Sequence, residues 1–207
     1  MTTQGNQLDG LKVAILVSDD FEQVEMTGPR EALQKAGAQV TLIAPKPGQV
    51  TGFNHDQKGD SFPVDQTLNQ ARAADYDAAL LPGGALNADF LRVVPAAQQF
   101  VREMDQAGKP LAVICHAPWL LVSAGLVGGR TLTSYHTIQD DILNAGGTWK
   151  DEAVVHDRNW VTSRQPDDIP AFNAAMITLF ARGESDAAQA GAQTGAYDSA
   201  SMGVVEP

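Results

Sequence analysis

Four short apolar-rich segments constrain this chain more than any other feature. They are KVAILV (12–17), QVTLIA (39–44), the YDAALLPGG segment (76–84) and PLAVIC (110–115). A strand with one wet face alternates apolar and polar residues; an unbroken apolar run is buried on both faces. Segments with helical spacing lie between and after these runs. PREALQKAG is closed by Gly37, and Pro95 to Gly108, Pro118 to Gly125 and TIQDDILNAGG follow the same pattern. RTLTS, TWKDEAVVHD and WVTSR read as further strands, residues Gly48 to Asp65 as a hairpin, and Asp168 to Arg182 as a last helix. Strands alternating with helices require an α/β fold with a mostly parallel central sheet covered on both faces. The right-handed crossover rule makes it a three-layer sandwich.

A chain of 207 residues, 43% hydrophobic, can bury one substantial core. The predicted domain covers residues 11–182. The polar residues 1–10 are expected to be loose. After Arg182 the chain is rich in Ala, Gly and Ser without an apolar period, so residues 183–207 read as a flexible tail. The alternative for that tail is a helix docked on another subunit.

A formal net charge of -11 argues against nucleic acid or an anionic membrane as partner, because both need basic surface. One cysteine cannot form an internal disulfide, which points to a reducing compartment. The first residues lack a basic region followed by an apolar core, and no run reaches the roughly 18 apolar residues of a span. A cytoplasmic protein is expected.

The single cysteine, Cys115, stands where PLAVIC gives way to HAPWLL. A buried thiol is an ordinary core filler. At the carboxyl end of a parallel strand, however, side chains open onto the crevice where such folds bind ligands. Unpaired amides and the positive end of the following helix would favour thiolate. His116 follows directly; adjacent side chains diverge, so its N–H rather than its ring is the expected neighbour of an anion. After the first strand, DDFEQVE offers Asp19, Asp20, Glu22 and Glu25. One glutamate reaching Cys115 would have to be neutral, so as to donate a hydrogen bond instead of repelling the thiolate. Gly83-Gly84 lets backbone N–H groups approach a substrate oxygen as an oxyanion hole.

No G-x-G-x-x-G follows the first strand and no G-K-[ST] occurs, so dinucleotide and P-loop sites are not expected. Pro82-Gly83-Gly84 stands where a receiver domain needs its acceptor aspartate. His55, His116, His136 and His156 lack metal-ligand spacing, so no metal and no cofactor is expected, and His55 and His156 read as surface or strand histidines.

The stretches FEQVEMTGP, DAALLPGG, GKPLAVICHAPWLLVSAGL, GRTLTSYHTIQDDILNAGGTW and NWVTSRQPDDIPAF together resemble the PfpI/ThiJ superfamily, in its PfpI intracellular-protease branch, from about Lys12 to Arg182. The resemblance implies a flavodoxin-like sandwich with Cys115 as nucleophile on a strand-helix elbow. It makes Glu25 the hydrogen-bond partner of the thiol and Glu22 a second acid of the same motif. His116 is the family histidine, and Gly84 with the His116 amide forms the oxyanion hole. Tyr135 lines the pocket. Asp89 falls where an acid meets the histidine of a neighbouring subunit, which implies a homo-oligomer, a dimer or a hexamer. Three positions depart from the pattern. Ala117 replaces a glycine, Asp89 is a methylene shorter than the glutamate of some relatives, and His136 replaces a proline.

These readings converge on a stress-protective cysteine hydrolase. It would act on a small carbonyl or a short peptide, as a peptidase or as a glyoxalase or deglycase of methylglyoxal adducts. The rival is a redox sensor or protective chaperone acting through oxidation of Cys115. A glutaminase-like reading would need His156 and Asp157 as distal partners and ranks last.

Overall fold

The computed structural model describes the backbone of residues 7–194 and the side chains of residues 7–183. Its elements in order are β1 (Lys12–Leu16), β2 (Phe21–Glu22), α1 (Gln23–Lys35), β3 (Gln39–Ala44), β4 (Gln49–Asn54), β5 (Gln57–Pro63), β6 (Gln66–Thr67), β7 (Ala78–Leu81), α2 (Ala85–Leu91) and α3 (Pro95–Gln106). The second half adds β8 (Leu111–Ile114), α4 (Pro118–Ser123), β9 (Thr131–Leu132), α5 (Gln139–Asn144), β10 (Thr148–Trp149), β11 (Val154–Asp157), β12 (Trp160–Ser163) and α6 (Ile169–Thr194).

Seven strands form the central sheet in the order β11-β12-β8-β7-β1-β3-β6. All neighbours are parallel except the β11/β12 edge. The unbroken apolar runs fill its interior, and the two-residue period splits each run between two cores. Val13, Ile15 and Val17 join the core built on Met26 and Leu33 of α1 and Phe172, Met176 and Phe180 of α6. Ala14 and Leu16 join the opposite core, with Phe100, Val101 and Met104 of α3 and Leu120 and Leu121 of α4. The expected three layers are therefore present, with helices on both faces.

Several boundaries differ from the sequence reading. Leu8 lies in the segment expected to be loose, yet it is fully buried, and its N–H donates to the Ala36 carbonyl at 2.9 Å. One apolar side chain suffices to dock an otherwise polar segment. TWKDEAVVHD splits into β10, which pairs with β9 in a separate two-stranded sheet, and β11. The Ala85–Leu91 helix was not marked by composition. The last helix continues past Arg182 to Thr194, into the segment expected to be a tail. Alanine gives up no side-chain entropy in a helix, so an Ala-rich stretch prolongs one already begun. The rest of that tail, residues 195–207, lies outside the described residues, as do residues 1–6.

A smaller sheet of β2, β4 and β5 stands beside the carboxyl ends of β1 and β7. Gln23 ties the hairpin down: its Nε2 donates to Asp60 Oδ2 at 2.8 Å and its Oε1 accepts the Asp60 N–H at 2.7 Å. The tip of this hairpin reaches the crevice described next.

Candidate active site

β8 ends at Ile114, and Cys115 follows in the left-handed region with φ +63°. A non-glycine residue there is strained and persists only where its surroundings hold it. Here the Cys115 N–H donates to the Ser163 carbonyl at 3.1 Å, and its own carbonyl accepts the Tyr135 N–H at 2.8 Å. The turn points the thiol away from the strand axis, leaving the residue 6% exposed at the floor of a cavity of about 520 Å³. Asp20, Glu22, Phe53, His55, Tyr135 and Asp167 form its walls.

The same turn overrides the expected divergence of neighbouring side chains. His116 Nδ1 lies 3.2 Å from Cys115 Sγ, and Nε2 lies 3.1 Å from Thr137 Oγ1. The ring stacks on Tyr135 at 4.8 Å between centroids and tilts against Trp119 at 5.5 Å. Burial, with His136 nearby, pushes the imidazole pKa below its ordinary value of 6.5, so the ring is neutral at pH 7 and free to take a proton.

Glu25 comes from α1 and is fully buried. Its Oε2 accepts the Gly83 N–H at 3.0 Å and its carboxyl shares a hydrogen bond with Cys115, while Oε1 has no conventional partner among the described residues. Burial raises this carboxyl from 4.5 to about 8, against the lowering effect of the Cys115 and Gly83 hydrogen bonds; the charge of Glu22 adds to the rise. Glu25 is thus the neutral acid that the sequence required.

The thiol itself departs from expectation. Burial pushes it well above 9, and the negative charge that Glu25 would carry adds to the rise; the Gly84 and His116 amides, which donate to the sulfur, pull it down. Depression by a helix dipole is not what this corner supplies, since α4 has only six residues. Two buried groups in hydrogen-bond contact cannot both be anionic. At neutral pH the pair holds its protons, and the thiol needs a base. The neutral ring of His116 is placed to serve.

Gly84 lines the cavity, and Gly83 lies behind it against Cys115 and Glu25. A Cβ on Gly83 would come within 2.5 Å of both Cys115 Cβ and Glu25 Oε2. Gly84 has φ +88°, and its Cβ would lie 2.6 Å from the Glu22 nitrogen. The double glycine is thus the space that lets two amides and a carboxyl reach one sulfur.

Of the residues singled out in the sequence, Cys115, His116, Glu25, Glu22, Gly83, Gly84 and Tyr135 meet at this site. Asp89 does not: it is exposed and lines a neighbouring cleft with Lys46, Phe90 and Val93. His55, read as a surface histidine, stands at the rim, and its N–H donates to Glu22 Oε2 at 3.2 Å. Thr137 and Asn87 carried no signal in the sequence. Asn87 is fully buried; its Nδ2 donates to the Gly83 carbonyl at 2.9 Å and its Oδ1 accepts the Ser18 N–H at 2.7 Å, which fixes the glycine turn. His156 and Asp157 sit on β11, away from the cavity.

Comparison with known proteins bears on the family and the fold. The model of the DJ-1/PfpI family matches residues 11–179. Protein/nucleic acid deglycase 2 of Escherichia coli is 40% identical over 170 residues, covering 81% of this chain and 96% of the relative. Deglycase PfpI of Pyrococcus furiosus is 38% identical over 169 residues, covering 82% and 99%. Among solved structures, a two-domain Anabaena variabilis protein with a DJ-1/ThiJ/PfpI-like and a ferritin-like domain superposes with a TM-score of 0.77 at 34% identity. That match covers 81% of this chain but 47% of the other, so the chain spans about half of that protein. Drosophila melanogaster DJ-1beta superposes with a TM-score of 0.75 at 25% identity, covering 87% and 96%. With the family model matching residues 11–179 and two relatives 38% and 40% identical along nearly their whole length, this chain belongs to the DJ-1/PfpI family.

Proposed function

We propose that the chain is a cytoplasmic, cysteine-dependent carbonyl enzyme, a glyoxalase or deglycase acting on methylglyoxal and its adducts. The observation that carries this reading is the contact of Cys115 Sγ with His116 Nδ1 at 3.2 Å, at the floor of a cavity where the buried acid beside the thiol, Glu25, is neutral at pH 7. His116 Nδ1 takes the thiol proton as sulfur attacks the aldehyde carbon. An S–C bond forms, and the carbonyl π pair moves to oxygen. The imidazolium then returns the proton to that oxygen, giving a hemithioacetal. The aldehyde-carbon proton then moves to the adjacent carbon by way of an enediol, and the hydroxyl proton passes from the first oxygen to the second, giving a lactoyl thioester. Water hydrolyses it to lactate and free thiol. Glu25, protonated, donates to the sulfur while it is anionic.

The size of the cavity, about 520 Å³, favours a small carbonyl or short adduct over a polypeptide loop. The names of the two deglycase relatives support the same choice. Leu86, Phe90 and Val93 are 61%, 48% and 69% exposed in a stripe beside Asp89, which supports assembly of this face against a second copy. The test is product analysis with purified protein. Lactate from methylglyoxal, or lactate with free arginine from a methylglyoxal-arginine adduct, is the expected outcome. Cleavage of a fluorogenic peptide with neither carbonyl reaction would replace this reading by a peptidase.

A further inference from the structure

A base needs one free nitrogen aimed at the proton it takes, and the proton on its other nitrogen needs an acceptor. His116 meets Cys115 through Nδ1, so the neutral ring must carry its proton on Nε2. Among the described residues, one oxygen answers that N–H. Thr137 Oγ1 lies 3.1 Å from Nε2, on the far side of the ring from the sulfur. Its position follows from the backbone. The Tyr135 N–H binds the Cys115 carbonyl at 2.8 Å, which docks the loop after β9 onto the elbow. Thr137 is the middle residue of the short 3-10 turn His136–Ile138 that follows. The ring faces are held as well. Tyr135 stacks on the imidazole, and Trp119 packs at an angle with its Nε1 donating to Asp141 Oδ2 at 3.0 Å and the Arg92 guanidinium 5.0 Å over its ring. The faces fix the plane of the imidazole; only a polar group at Nε2 tells one nitrogen from the other.

We infer that Thr137 is a positioning residue for His116: its Oγ1 accepts the Nε2 proton opposite Cys115 Sγ and keeps Nδ1 free and aimed at the thiol, within a single chain. The assignment rests on the carbonyl-enzyme reading for its catalytic consequence but not for its structural content. It is distinct from an acid supplied to His116 by a neighbouring subunit, the role that the resemblance implies for Asp89.

The experiment uses full-length protein with labelled imidazole nitrogens. Wild type should show His116 neutral, protonated on Nε2 and unprotonated on Nδ1. Thr137→Val, which keeps the shape and removes the oxygen, should broaden or shift that signal toward mixed tautomers. It should lower kcat for methylglyoxal roughly tenfold with KM within about twofold, as expected when a base is misaligned and binding is intact. Thr137→Ser should restore both the spectrum and kcat. An unchanged His116 spectrum in Thr137→Val would overturn the assignment, and so would a shift of that signal in Asp89→Asn but not in Thr137→Val. A loss of kcat that Thr137→Ser does not rescue would also overturn it. The nitrogen spectrum reads the ring without turnover, so failure of this assignment is distinguishable from failure of the carbonyl-enzyme reading.

Discussion

Cys115→Ser should lower turnover of methylglyoxal by about a thousandfold or more, while stability stays within about 1 kcal/mol of wild type. The asymmetry follows from what the two atoms share and what they do not. A hydroxyl oxygen accepts hydrogen bonds from the Gly84 and His116 amides at least as well as sulfur, so the buried donors keep a partner. The left-handed backbone at φ +63° is unchanged, and its strain is the same in both proteins. The hydroxyl is far harder to deprotonate, and its shorter bond withdraws it from His116 Nδ1, which now stands 3.2 Å from sulfur. Steady-state rates and urea midpoints measured side by side check both halves. Retained turnover would make Cys115 a core filler.

The Glu25 contribution to stability should fall as pH rises from about 4.5 to about 8, opposed below pH 6.5 by His116, whose lowered pKa acts with the opposite sign, and Glu25→Gln should remove that falling component. In the unfolded chain Glu25 releases its proton near 4.5; in the fold, burial holds the proton up to about 8. Between those values the native state binds more protons than the unfolded one, so each rise in pH favours unfolding. Below the window both states are protonated and the penalty is absent; above it both are ionised and this group's slope ends. The thiol, pushed well above 9, extends the decline at alkaline pH. Over the whole window the Glu25 contribution is on the order of a few kcal/mol. Glutamine keeps an oxygen for the Gly83 N–H and a donor for the sulfur but carries no charge at any pH. Denaturant midpoints at intervals across the window provide the measurement. Parallel slopes in the two proteins would mean that Glu25 is ionised inside the fold.

Much of this was readable from sequence because the physics is local and periodic. An unbroken run such as KVAILV can only be a strand wetted on neither face, and its alternate residues do feed two cores. The elbow at Cys115 and the double glycine opposite it follow from strand ends in a parallel sheet. Which glutamate reaches the sulfur was open from composition alone; the helical phase of α1 buries Glu25 and leaves Glu22 at the pocket rim, 13% exposed in its side chain. Other features depend on single backbone angles or distant partners. The Cys115–His116 contact needs a left-handed cysteine, which no pattern announces. Thr137 and Asn87 act through neighbours 21 and 69 residues away. Leu8 docks on the strength of one side chain. The thiol's upward shift is not legible from residue types, because burial, the largest influence at a 6% exposed cysteine, outweighs the amides that pull it down.

The account stands on covalent attack by Cys115 with His116 as base. Isotope-labelled methylglyoxal, mixed with the protein at low temperature and followed by carbon NMR, observes that step directly. The account predicts a hemithioacetal carbon signal in wild type. That signal should be absent in Cys115→Ala, and its formation should slow in His116→Ala. A wild type that turns over methylglyoxal with no sulfur-bound carbon, or the same signal in Cys115→Ala, would contradict it.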